Sequence, residues 1–302
     1  MDGVINVLKP PGMTSSDVVV YLRRLLKVKK VGHTGTLDPG AAGVLPVCIG
    51  KATRLASLII DEDKVYRCEM ILGVETDTLD SYGRVISISN DYPTFEDIKR
   101  VFEEFRGRIK QSPPMHSAIK YKGKKLYEYA RQGQELDISG LGREVTIYRN
   151  TILQYLPPNK VLFEVECSKG TYIRSLCRDI GRRLGCGAYM GFLLRCRTGR
   201  YTIDDSYTLY EIEEHLLKGE LDKVIIPMDK AVEGFERVDV PSMHYQKLIN
   251  GNPVKLAARA LKLEKLDHQA PIRVYCRGQF IGIGMVKLEE DYIHIKMDKV
   301  LV

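Results

Sequence analysis

Apolar residues fall in short clusters along the chain, some alternating and some continuous, and together they set out an order of strands and helices. Val4 to Leu8 reads as a strand, and the Thr14-Ser15-Ser16-Asp17 cluster caps a helix whose apolar positions recur at helical spacing to about Leu26. Val44 to Ile49 has the continuous apolar character of a buried strand. A helix through Ile60 follows, then strands near Tyr66 to Leu72 and Val85 to Ile88. Thr94 with Asp97 has the form of a capping box that opens a helix to Phe105. Strands near Val145 to Tyr155 and Lys160 to Cys167 flank Pro157-Pro158-Asn159, a hairpin turn, and a helix runs from about Tyr172 to Leu184.

Beyond an acidic segment the pattern changes. Pro241 to Asn250 reads as one short helix, and Ile272 to Cys276, Phe280 to Val286 and Tyr292 to Met297 as short strands. That spacing predicts a small β-barrel beginning near Glu236. The expected division is therefore residues 1–235 and residues 236–302, which suits a 302-residue chain better than one domain does. No apolar run approaches the roughly 18 residues of a membrane span, and MDGVINVLKPPG lacks the layout of a signal peptide. The expectation is a cytoplasmic protein with no membrane partner.

The net charge of +7 suggests an anionic partner, and its distribution says more than its total. Tyr21 to Lys30 carries five basic residues and no acid, and Phe105 to Tyr127 carries seven and none. Ser168 to Arg200 has eight basic residues to one acid, whereas Tyr201 to Glu236 has ten acids to three bases. Such separation fits a basic face for a polyanion, although solvated helix faces give the same pattern. Tyrosine (17) supplies most of the aromatic surface, since Trp is absent. Seven cysteines without a C-x-x-C point to reduced thiols rather than disulfides or zinc, and no metal site is expected.

The most unusual segment is GHTGTLDPGAAGVLPV, Gly32 to Val47, where four glycines and Pro39 surround Asp38. Asp38 precedes proline and is biased towards extended backbone, so its carboxylate would project from a stiff loop. Taken alone, Asp-Pro in a glycine-rich loop is ordinarily a turn. The spacing matches neither the Walker nor the G-x-G-x-x-G pattern, so nucleotide-cradling readings fail.

GHTGTLDP resembles the catalytic loop of the TruB family of pseudouridine synthases, in its bacterial branch acting on uridine 55 of the tRNA TΨC arm. Other motifs agree in order: LKPPGMTSSDVV (Leu8 to Val19), KVYRCEMILGVETDTLDSYG (Lys64 to Gly83), QSPPMHSAIKYKGKKLYEYARQG (Gln111 to Gly133) and SKGTYIRSLCRDIGRRLGCGAYMGFLLR (Ser168 to Arg195). The resemblance covers essentially the whole chain. It implies an α+β pseudouridine synthase fold with a mixed, largely antiparallel sheet and flanking helices, plus a small C-terminal barrel of PUA type. An RNA-clasping insertion would occupy about residues 110–145.

The implied reaction breaks the C1′–N1 bond of a uridine, turns the base and rejoins it through C5. There is no net redox change and no cofactor is expected. Asp38 stands where the family places its essential carboxylate, Arg174 resembles the arginine that pairs with it, and Tyr66 resembles the tyrosine at the target base. His33 matches the residue that fills the gap left by the flipped base, and Tyr172 and Leu193 match positions lining the uracil pocket. Lys9, Lys120, Lys122, Lys124, Arg131 and Lys169 are the RNA-binding candidates, with Arg178, Arg182 and Arg183 as further cations for backbone neutralisation. Asp77 and Asp80 could form a metal or acid-base pair, but TDTLDSYG reads better as a polar turn satisfying its own backbone. The implied partner is the tRNA TΨC arm and the expected state a monomer. The rivals are an RNA-folding chaperone and the guide-RNA-dependent branch of the superfamily; the continuous insertion motif points away from the latter.

Overall fold

The computed structural model describes residues 1–117, 119–134, 136, 139–257, 270–289 and 292–302. The chain begins with β1 (Gly3–Lys9), α1 (Ser15–Leu25), β2 (Val31–His33), β3 (Ala42–Ile49), α2 (Ala56–Ile60) and β4 (Lys64–Leu72). Thr14 caps α1 reciprocally: its hydroxyl accepts from the Asp17 N–H at 3.0 Å, and the Asp17 carboxylate accepts from the Thr14 N–H at 2.8 Å. A hairpin of β5 (Val74–Thr76) and β6 (Val85–Ile88) precedes α3 (Phe95–Glu104), which Thr94 caps.

From β7 (Gly107–Gln111) the chain leaves the sheet for an insertion containing the hairpin β8 (Lys120–Tyr121) and β9 (Lys124–Lys125) and the helix α4 (Leu126–Arg131). It returns beside β7 as β10 (Arg143–Leu156) and turns into β11 (Lys160–Cys167). Then come α5 (Ile173–Leu184), β12 (Ala188–Thr198), β13 (Tyr201–Thr202), α6 (Leu209–Leu217), β14 (Ile225–Ile226) and α7 (Met228–Ala231).

These strands form one mixed sheet in the order β14-β1-β3-β12-β4-β11-β10-β7, with β2 added on β3 and β13 on β12. Every pairing in it is antiparallel except β3 with β12. At that junction the backbones come so close that a Cβ on Gly43 would lie 2.2 Å from the Arg195 carbonyl oxygen, and Gly43 has φ +116°. Only glycine fits there. Helices α3 and α5 cover one half of the sheet through Ile98, Phe102, Leu176 and Ile180, and α1 and α6 cover the other through Val18, Leu22 and Ile212.

Strand β12 is the main element that the apolar pattern leaves unassigned. Its buried positions include Ala188, Met190, Leu193, Arg195 and Thr198. Register shifts between Met190 and Phe192 and between Arg195 and Arg197 break the period of two by which a strand is recognised. A charged residue at one of the buried positions hides it further.

After α7 come β15 (Glu236–Val240), α8 (Tyr245–Ile249), β16 (Val254–Ala257), β17 (Pro271–Cys276), β18 (Gln279–Leu288) and β19 (Tyr292–Val300). They make a second sheet, ordered β15-β17-β18-β19-β16, curled around a core that includes Val274, Ile281 and Ile295. Among the described residues β15 and β16 do not pair, so the sheet is a half-barrel rather than a closed one. Leu55, Val232, Ile283 and Leu301 join it to the first sheet's unit. Among the described residues no helix is long and apolar enough to cross a membrane.

Candidate active site

Asp38 stands on the loop between β2 and β3, and the motif around Lys9 explains how that loop is held. The Ser15 hydroxyl accepts from the Leu37 N–H at 2.9 Å and donates to the Leu37 carbonyl at 3.2 Å, and the Gly12 N–H donates to the Pro39 carbonyl at 2.8 Å. The Lys9 ammonium donates to the carbonyls of Pro10 (2.8 Å), Met13 (2.6 Å) and Pro39 (3.3 Å). Lys9 is 0% exposed, which corrects its sequence assignment as an RNA contact. A fully enclosed ammonium whose N–H groups already have acceptors is a strut of the aspartate loop. Burial lowers its pKa to about 8.

Arg174, the second residue of α5, points back at this loop. Its Nε lies 3.0 Å from Asp38 Oδ2 and its Nη2 donates to Asp38 Oδ1 at 3.2 Å. Nη2 also donates to the His116 carbonyl at 3.0 Å, and Nη1 to the Thr78 carbonyl at 3.3 Å with Asp80 Oδ2 at 3.5 Å. Asp80 therefore does more than close its own turn. Its Oδ1 accepts from the Thr78 hydroxyl and the Tyr82 N–H while Oδ2 faces the arginine. Asp77, which accepts from the Arg84 N–H, fits the turn reading. The spacing of three signalled a possible carboxylate pair, but the element that engages Asp80 lies nearly a hundred residues away. Burial pushes the Asp38 carboxyl above its ordinary value; Arg174 opposes the shift, Asp80 adds to it and Lys9 opposes it.

The pair opens onto a cavity of ≈ 760 Å³ that is also lined by Tyr66, Tyr172, Leu193 and Lys169. Tyr66 on β4 lies in register with Arg195 on β12, and burial raises its phenol pKa, so it stays protonated at neutral pH. Arg195, 1% exposed, faces that hydroxyl and donates to the carbonyls of Val44 (2.7 Å) and Gly35 (3.2 Å), tying Tyr66 to the aspartate loop. Tyr172 caps α5, and its backbone is held at both ends by Gln111: Tyr172 N–H to Oε1 at 2.7 Å and Nε2 to the Tyr172 carbonyl at 3.0 Å. His33 ends β2, outside the cavity lining; its Nδ1 is buried with no partner among the described residues, and its pKa is lowered by burial and by Arg195. The sequence reading assigned Asp80 to its turn alone and missed Arg195 and Gln111; a buried charge or amide is invisible until the strands pair.

The cations sort in an order that their numbers along the chain do not show. In the block from Ser168 to Arg200, Lys169, Arg174, Arg178, Arg182, Arg183, Arg197 and Arg200 are all ion-paired, to Asp61, Asp38, Asp179, Glu75, Glu104, Glu166 and Glu233. Apart from Arg178, which pairs with its neighbour Asp179, and Arg195, which donates to backbone carbonyls, the block's cations are answered by acids from distant segments. Lys120, Lys122 and Lys124 are exposed on the insertion hairpin and make no ion pair among the described residues; Lys122 lies over the Tyr121 ring at 5.3 Å and Lys124 over Tyr129 at 5.9 Å. Arg131 ends α4, and its side chain lies outside the described residues. Among the described residues no group of three or more His, Cys, Asp or Glu is placed to hold a metal ion.

Residues 23–173 match the model of the TruB family pseudouridylate synthase N-terminal domain, and residues 174–233 that of the tRNA pseudouridylate synthase B C-terminal domain. The chain is 43% identical over 303 residues to tRNA pseudouridine synthase B of Clostridioides difficile, covering 100% of both chains. It is 48% identical to the protein of the same name from Pelotomaculum thermopropionicum, over 88% of this chain and 85% of the relative. Among solved structures it resembles a chain of a Cbf5-Nop10-Gar1 complex (TM-score 0.76, 28% identity, 99% of this chain and 85% of that one). It also resembles a chain of an H/ACA RNP bound to a substrate RNA containing 2′-deoxyuridine (TM-score 0.75, 27% identity, 99% and 85%).

Proposed function

The chain belongs to the TruB family of pseudouridylate synthases, and from that premise we propose that its substrate nucleotide is uridine 55 in the TΨC loop of tRNA. It is a tRNA pseudouridine synthase, an isomerase. The observation that carries the site assignment is the Asp38–Arg174 pair at the wall of a cavity with Tyr66, Tyr172 and Leu193 around it.

In this reading Asp38 acts as a carboxylate on the flipped uridine, whether at C1′, at a sugar proton or at C6 of the base. Each route begins from the ionised form, which Arg174 favours and aims. As the base turns and C5 replaces N1 on C1′, C5 gives up its proton and N1 ends with one. Tyr66, kept as a phenol, lies against the base. Tyr172 and Leu193 supply contact surface, worth about 1–3 kcal/mol per stacked base in comparable sites. His33 enters the gap left in the loop. Lys120, Lys122, Lys124 and Arg131 on the insertion neutralise RNA phosphates, and Lys169 at the cavity joins them once it exchanges its exposed partner Asp61 for a phosphate.

Residues 1–235 form the catalytic unit in this reading, and residues 236–302 a PUA-like RNA-binding unit extending the footprint along the tRNA. The protein works as a cytoplasmic monomer. A guide-RNA-dependent role is disfavoured, because identity to the bacterial tRNA enzymes (43% and 48%) exceeds identity to the Cbf5 complex (28%). A purely RNA-folding role leaves the Asp38–Arg174 pair without a use.

The test is tritium release from 5-labelled uridine in an isolated TΨC stem-loop, with no other RNA or protein added. Turnover by the native protein, and its loss in Asp38→Asn with affinity kept within a few-fold, are expected. Full activity in Asp38→Asn would sink the assignment.

A further inference from the structure

Arg143 opens β10, where the insertion rejoins the sheet, and pairs in register with Gln111, where the insertion leaves it. The two residues grip Tyr172 from different sides. Gln111 holds its backbone, and the Arg143 guanidinium lies over its ring at 4.7 Å. Nη2 of Arg143 donates to the Gly170 carbonyl. Gly170 has φ +83°, and a Cβ there would lie 2.9–3.1 Å from three guanidinium atoms, so the glycine leaves the space that the arginine fills.

The guanidinium is thus fixed on the cavity wall with much of its capacity unused. Among the described residues neither the buried Nε nor Nη1 has an acceptor. Every other described Lys or Arg on that wall is committed. Arg174 is spent on Asp38 and Asp80, and Lys169 is paired with Asp61 at 2.9 Å. Lys64 and Arg195 are enclosed and donate to backbone carbonyls. Arg143 is only half-buried, and among the described residues it makes no ion pair, not even with its exposed neighbour Glu144. A rigid, uncompensated guanidinium at the edge of a site is complementary to an oxyanion, and the oxyanion RNA offers is the phosphodiester.

We propose that Arg143 binds a phosphate flanking the target uridine and, through its stack on Tyr172, sets the position of the ring beside the base. This rests on the reading that an RNA nucleotide occupies the cavity. Because ring and guanidinium are already stacked in the free protein, the contact asks little reorganisation when RNA arrives. It also links the returning end of the insertion directly to the pocket.

The experiment pairs the native protein, Arg143→Gln and Arg143→Lys with TΨC stem-loops that carry one neutral methylphosphonate, either 5′ or 3′ of the target uridine. Affinity is read by fluorescence anisotropy. Neutralising one of the two phosphates should weaken the native protein by about tenfold, and Arg143→Gln should bind natural RNA about that much more weakly while losing nothing further on the modified RNA. Its salt slope should fall by about one. Arg143→Lys should keep the slope but lower kcat more than it raises KM, because a lysine cannot stack as a plane. It also serves as the second variant should Arg143→Gln not fold.

Equal losses on the modified RNA in native and variant proteins, or no loss at either phosphate, overturn the assignment. Turnover of the natural stem-loop is scored separately. Turnover without coupling sinks only the role of Arg143, whereas a stem-loop neither bound nor isomerised sinks the reading of the site with it.

Discussion

Asp38 and Arg174 meet at two points, Nε to Oδ2 at 3.0 Å and Nη2 to Oδ1 at 3.2 Å, and the arginine is the buried partner while the aspartate side chain keeps 37% of its surface open. A planar cation behind an accessible carboxylate orients it without blocking it. Arg174→Lys keeps the charge but has one nitrogen to serve Asp38, Asp80, Thr78 and His116. Turnover should fall by at least about 100-fold, or ~2.7 kcal/mol, with tRNA affinity held within a few-fold. Single-turnover tritium release beside filter binding decides it; binding that suffers more than turnover would contradict an orienting role.

Asp80 anchors the far side of the same guanidinium at 3.5 Å. Asp80→Asn retains an acceptor for the Thr78 hydroxyl and the Tyr82 N–H, so the turn should survive with little change in melting temperature. Turnover should drop by about tenfold, or ~1.4 kcal/mol. Combined with Arg174→Lys the loss should be less than additive, since both act through one contact. Strict additivity would separate Asp80 from the pair.

Lys9→Met should lower stability by about 2 kcal/mol or more, because the carbonyls of Pro10, Met13 and Pro39 would lose their donor inside the fold. Urea unfolding measures this. The salt dependence of tRNA binding should stay as in the native protein, and a flatter slope would return Lys9 to the RNA interface.

The pH profile follows from the upward shift at Asp38. A raised pKa means that the carboxylate takes up its proton at a higher pH. The acid limb of kcat/KM should therefore lie above the ordinary aspartate value, with activity lost as pH falls through it. Removing the cation in Lys9→Met favours the neutral acid and should move the limb higher, whereas removing the like charge in Asp80→Asn should move it lower. Shifts of the same sign in both variants would refute this ordering of causes.

Lys122→Glu with Lys124→Glu should flatten the log-affinity against log-salt line by about one unit or more for each phosphate contact removed. Arg182→Gln and Arg183→Gln should leave it nearly unchanged, because Glu75 and Glu104 already neutralise those cations. The opposite ranking would place the RNA on α5 instead of the insertion hairpin.

Most of the regular elements were legible along the chain because their signals are local. The Thr14–Asp17 cap, the apolar run of β3 and the β10–β11 hairpin each depend on residues a few positions apart. Strand β12 was not legible, since bulges spoil its alternation and its buried Arg195 is acceptable only once the carbonyls of Val44 and Gly35 face it. The motifs around Asp38, Tyr66 and Arg174 were visible as well, but the motif at Lys9 suggested an RNA contact where the fold has a buried strut.

What the sequence determined by itself, then, was a set of candidate side chains and the local devices that shape the segments carrying them. Their arrangement required the tertiary structure. Asp38 and Arg174 lie 136 residues apart and meet only because β12 inserts between β3 and β4 and brings α5 over the loop. The same holds for charge. Which cations are answered by carboxylates and which remain for a phosphate depends on side chains that become neighbours only when the strands pair, and Coulomb energy follows distance in space rather than along the chain.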